Sequence, residues 1–172
     1  VERLARTSFA SLEQCGQRLP VEIGAGGLSL EKQPDGAFDV IVLDAFSGDA
    51  IPTHLLTREA FALYLRKLSP QGWILVHTTN NFVDLDPVMR ATVGELGLAG
   101  RGIDYAGGSR VDYAFGSTWV VIARAPELLE DFNRGVIQWP ALESAGGARA
   151  WTDDYSNLFG ALRWGDAGVF GR

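Results

Sequence analysis

The apolar positions along the chain fall into runs of two kinds. "FDVIVLD" (38–44) and "WILVHTT" (73–79) are continuous rather than alternating, a pattern that predicts strands covered on both faces, as in a parallel sheet. Between them "LTREAFALYLRKL" (56–68) sets Phe61, Leu65 and Leu68 at i, i+4 and i+7, with Thr57 placed to cap the helix. "SPQG" (69–72) reads as its stop. "LDPVMRATVGELG" (85–97) predicts a second helix, with Asp86 and Pro87 at its start, where both are favoured. "GRGIDYAG" (100–107) and "STWVVIARA" (117–125) predict two further strands, and the short glycine-rich connection between them suggests an antiparallel pair.

The flanks are less regular. Leu4, Phe9 and Leu12 lie near one face of a helix over 1–14, "PVEI" (20–23) is a short strand candidate, and "LSLEKQ" (28–33) a helical turn after "GAGG". "PDG" (34–36) signals a turn. Beyond Pro126 a short helix, "ELLEDF", leads into a looser tail carrying "WTDDYSNLF" (151–159). Strand–helix alternation makes this α/β with a mainly parallel sheet and a C-terminal antiparallel pair. Residues 1–125 form the core and 126–172 an extension packing on it.

Composition narrows the chemistry. A net charge of −6 argues against a broad nucleic-acid surface. One cysteine, Cys15, and two histidines, His54 and His77, leave no disulfide framework and no metal cluster to expect. No stretch approaches the ~20 apolar residues of a membrane span, so the expectation is a cytoplasmic protein, or the cytosolic domain of a membrane-attached parent, without direct membrane contact in this segment. The chain begins at Val1 and its sole methionine is Met89, so a start further upstream is expected.

In parallel α/β sheets ligands bind beyond the carboxyl ends of the strands. Asp44 and the segment "HTTNN" (77–81) both fall there, and a second acid, Asp49, follows Asp44. Either acid has a plain alternative: Asp44 as a cap for loop amides, Asp49 as a solvated turn residue. His77 could touch a substrate or a neighbouring carbonyl, and Asn80 and Asn81 carry the same two readings. Tyr64, on the long helix, is assigned to the core or its rim. "GAGG" is rejected as a dinucleotide loop, whose glycines are more widely spaced and are followed by an acid some ~20 residues on, and Gly24 reads as a tight-turn residue.

The stretch "FDVIVLDAFSGDAIPTHLLTREAFALYLRKLSPQGWILVHTTNN", together with "WTDDYSNLF", resembles the spermidine synthase-like (polyamine aminopropyltransferase) family, whose fold is the Rossmann-like fold of S-adenosylmethionine-dependent methyltransferases. It looks most like the bacterial branch sometimes fused behind a membrane transporter-like region. The resemblance implies transfer of an aminopropyl group from decarboxylated S-adenosylmethionine to a polyamine. Asp44 matches the family's general base. Asp49, His77 and Asn80 match its substrate-binding positions, and Gly24, Ala25 and Ala45 its cofactor-binding positions, with no metal. The family's "D-x-x-D" is two residues shorter than the spacing of Asp44 and Asp49, which bracket "AFSG". Ala25 stands where the family has an acid that helps bind adenine. The family's glycine-rich loop after the first strand, and the acid ending the second, have no counterpart in 1–25, so by the resemblance a fold lacking the first strands is expected. A homodimer completing the sheet is one expectation and an incomplete sequence the other. Two further functions stay open: methyl transfer from S-adenosylmethionine to a small molecule, and a non-catalytic domain of a membrane-attached protein.

Overall fold

A computed structural model of the chain describes residues 26–44, 52–80, 82–105, 116–134, 137–143 and 147–162. The chain divides into two compact units, residues 1–32 and 33–172. The described part of the first is helix α1, Gly26–Glu31, with no buried residue. The "PVEI" strand and the helix expected over 1–14 lie outside the described residues.

Among its described residues the second unit is built on four strands, β1 (Phe38–Leu43), β2 (Leu68–His77), β3 (Ala99–Tyr105) and β4 (Ser117–Ala123), in the order β1-β2-β4-β3. β1 and β2 run parallel, while β4 lies antiparallel to both β2 and β3. The "PDG" turn leads into β1, with Gly36 at a φ of 67° that a side chain would resist. Helix α2 (Arg58–Lys67) joins β1 to β2, and helix α3 (Asp86–Glu95) joins β2 to β3.

Thr57 caps α2 as expected, its Oγ1 accepting from the Ala60 N–H. The helix buries Phe61, Tyr64 and Lys67. The Tyr64 hydroxyl donates to the Leu55 carbonyl, and burial pushes the phenol up to about 12, which gives it the core role expected of it. The "SPQG" segment does not end the helix in a loop. β2 begins at Leu68, directly after α2, and the ladder jumps from Phe38↔Leu68 to Val40↔Trp73. Ser69 to Gly72 therefore form a bulge, and Gly72 is needed there, since a Cβ would lie 2.7 Å from the Asp39 carbonyl. The open carbonyls at the end of α2 are met by Arg124, whose guanidinium donates to Leu65, Leu68 and Ser69.

The two faces of the sheet are covered differently. On one, Ile41, Ile74 and Ile122 pair across the strands and all are buried. α3 lies on this face, because a Cβ built at Gly100, the partner of Ile122, would meet Val93. On the other, Val121 and Ala123 pack with Trp73, Leu75, Leu128, Leu129, Phe132 and Trp139. The 3-10 helix Pro126–Asn133 supplies Leu128, Leu129 and Phe132. That cover spans β2, β4 and the start of β3, where Ala99 joins it. On β1 Val40 is 44% and Val42 55% exposed, so the continuous apolar run is not buried on both faces as its pattern suggested.

Candidate active site

Because β1 and β2 are parallel, their carboxyl ends reach the same rim of the sheet. Leu43 and Val76 are the last register partners, so the next residues, Asp44 and His77, emerge side by side. His77 Nδ1 lies 2.8 Å from Asp44 Oδ1. The Asp44 side chain is 58% exposed and that of His77 23%. The acid at the end of β1 thus stands on the rim, and among the described residues it is held by an imidazole.

The imidazole is itself held. Its Nε2 lies 2.6 Å from Thr79 Oγ1, which accepts the Thr118 N–H at 2.8 Å. Antiparallel pairing sets His77 opposite Trp119, and the two rings stack at 4.7 Å with 20° between planes. The Thr78 N–H and hydroxyl both donate to the Thr118 carbonyl, which fastens the segment after β2 to β4. Neither Thr79 nor Trp119 was singled out from the sequence. Their part depends on the register of β2 against β4, which no local pattern carries.

Asn80 is 8% exposed, and its Oδ1 accepts from the N–H groups of Phe82 and Val83, both at 2.9 Å. Its carboxamide oxygen is therefore spent on the turn that leads toward α3. Its Nδ2 is buried and has no hydrogen-bond partner among the described residues. Asp49, Gly24, Ala25, Ala45 and Asn81 lie outside the described residues.

The tail motif is clipped to the start of α2. The Trp151 carbonyl accepts from the Arg58 N–H, Asp153 Oδ1 accepts from the Thr57 hydroxyl, and Glu59 accepts from the Asp153 N–H. Glu95, at the end of α3, accepts from the Ala150 N–H. Trp151 is 1% exposed. Asn157 caps the short helix α4, Leu158–Ala161. An open cleft of about 530 Å³ runs between this tail and the start of α3, lined by Asp84, Val88, Arg149, Trp151 and Tyr155 among others. The Arg149 guanidinium sits over the Tyr155 ring at 5.3 Å.

Among the described residues no group of three or more His, Cys, Asp or Glu side chains could hold a metal ion. Among them also, no helix is long and apolar enough to cross a membrane.

No protein-family model matches the chain, and no curated protein matches it. Among solved structures, a probable spermidine synthase from Corynebacterium glutamicum superposes with a TM-score of 0.57 at 18% identity, over 91% of this chain and 61% of that one. A spermidine synthase from Thermotoga maritima gives 0.45 at 17% identity, over 80% and 50% of the two chains. MNMC2 from Aquifex aeolicus gives 0.44 at 14%, over 69% and 40%. The chain spans about three fifths of the Corynebacterium protein. At such identities the likeness concerns the fold, and the chain has the mixed α/β, Rossmann-like methyltransferase fold seen in that probable spermidine synthase.

Proposed function

We propose that the chain is the core of a transferase that moves an aminopropyl group from decarboxylated S-adenosylmethionine to a polyamine, with Asp44 as the general base. The observation that carries this reading is the exposed Asp44 carboxylate at the end of β1, held by His77 at 2.8 Å. It is supported by the fold likeness and by the resemblance of the segment 38–81.

The chemistry asks for such a group. An aliphatic amine has a pKa near ~10.4, so baring its lone pair at neutral pH costs about 4–5 kcal/mol. An ionised carboxylate only accepts hydrogen bonds, which suits an ammonium and gives a neutral alcohol no charge to match. In the proposed step the ammonium gives one proton to Asp44. The freed lone pair forms the bond to the carbon beside the sulfonium. The C–S bond breaks, and its electron pair returns to sulfur, leaving a neutral thioether. By the family resemblance Asp49 and Asn80 are the further candidates to border the amine, and Ala45 the nucleoside. The co-substrate is consumed, and no metal enters the reaction.

The test is product identity. Purified protein is given a polyamine with decarboxylated or intact S-adenosylmethionine, and products are read by mass. An aminopropylated amine is the expected product. A methylated product alone would replace this reading by methyl transfer, and failure to bind either nucleoside would favour a non-catalytic domain.

A further inference from the structure

We infer that His77 is a positioning residue, locked by Thr79 and Trp119 in the tautomer that carries its proton on Nδ1, so that it aims Asp44 rather than binding the substrate. This inference rests on the proposed role of Asp44 as the reacting base.

The argument runs from the strand register outward. Stacking on Trp119, 4.7 Å away and 20° from parallel, holds the plane of the His77 ring. Within that plane the ring meets Asp44 at one nitrogen and Thr79 at the other. The Thr79 oxygen already accepts the Thr118 N–H, a donor fixed by the β4 backbone. An ionised Asp44 only accepts, so the ring proton sits on Nδ1, facing the carboxylate, and in the neutral ring Nε2 is left to accept the Thr79 hydroxyl hydrogen. Each member of the series fixes the next: backbone amide, hydroxyl, imidazole, carboxylate.

The same order of groups, read in the other direction, is that of a charge-relay triad with the hydroxyl as nucleophile. The Thr118 N–H bond to Thr79 Oγ1 speaks against that direction, because it ties the oxygen to the β4 backbone and draws on its electron density. The direction that remains prepares Asp44. A carboxylate that is 58% exposed samples several rotamers unless something holds it, and misplacement of a reacting group by about 1 Å costs about 10²-fold in rate.

The chain has two histidines, His54 and His77, so nitrogen-15 spectra of the histidine-labelled full chain are assignable with a single variant, His54→Gln. At alkaline pH His77 should appear with its proton on Nδ1, and the proton resonance should shift upfield in Asp44→Ala. Thr79→Val should move the ring toward a mixture of tautomers, and Thr79→Ser should restore it. In transfer assays His77→Leu should lower kcat about 10²-fold with little change in KM. His77→Asn, whose amide nitrogen falls near the Nδ1 position, should recover part of that loss. A wild-type His77 protonated on Nε2, or a tautomer unmoved by Thr79→Val, would overturn the lock. A kcat unchanged in His77→Leu would overturn the positioning role. Spectra as described, with no transfer to any amine, would support the lock and remove the proposed reaction instead.

Discussion

Thr57 and Asp153 meet at 2.8 Å although 96 residues separate them. The same Thr57 oxygen that caps α2 also donates to the tail, so one side chain starts a helix and fastens the segment that crosses its beginning. Losing the hydroxyl should therefore cost more than an isolated cap. Thr57→Ala should lower unfolding free energy by about 2 kcal/mol, the upper part of the range for caps, and Asp153→Ala by about 1 kcal/mol. In a double-mutant cycle by urea denaturation the two losses should not add, because each removes the shared bond.

The bulge between α2 and β2 makes Gly72 intolerant. An added methyl would meet the Asp39 carbonyl and the Leu68 side chain at 2.7 Å, so Gly72→Ala should destabilise by about 1–3 kcal/mol. Gly27, in α1, offers the contrast: nothing lies within 4 Å of the same added atom. Gly27→Ala should leave stability unchanged or raise it by up to about 1 kcal/mol through helix propensity. Equal thermal shifts for the two variants would contradict this account of the bulge.

Asp35 gives stability a dependence on acid. The hydrogen bond from Lys67 is the main cause holding its carboxyl below the ordinary value of 3.8; desolvation opposes it, and the Coulombic pulls of Lys67 and then Arg66 add to the lowering. A carboxyl whose folded pKa is lowered stabilises the fold above its unfolded pKa, and that share is lost as pH falls through the folded value. The Asp35 side chain is 62% exposed, so the effect is small and screened by salt. Urea midpoints measured downward from pH 5 should fall less steeply in Asp35→Asn than in the native chain, and a parallel fall would contradict the assignment.

Asn80 should be a stability residue before it is a ligand residue. Its oxygen serves two backbone N–H groups, so Asn80→Ala leaves both without a partner and should cost about 1–3 kcal/mol. A ligand contact alone would weaken binding and leave the unfolding midpoint where it was.

What the sequence made legible was local. The extent of β1, α2 with its Thr57 cap, and the Asp86–Pro87 start of α3 all follow from periodicity and end signals within a few residues of one another. The antiparallel pairing of β3 with β4 was legible from the glycine-rich connection. What misled was also local: Pro70 and Gly72 are turn residues by type, yet the ladder absorbs them as a bulge. The open face at Val40 and Val42 was hidden because an apolar run says that a strand can be covered, not that cover is present. At the site, Asp44 was marked by its place at the end of β1. Its contact with His77 depends on which strand lies beside which, and the parts played by Thr79 and Trp119 depend on register across β2 and β4. Asp153 lies in the tail motif legible from the sequence, but its partner, Thr57, is found only once the tail is folded back.

The most direct test of the central claim is the rate of amine transfer by Asp44→Asn. The amide keeps the size of the side chain and an acceptor for His77 but cannot take a proton. The proposed role predicts a kcat lower by about 10²–10⁴-fold, with the amine still bound and the unfolding midpoint little changed. A kcat equal to that of the native chain would contradict it.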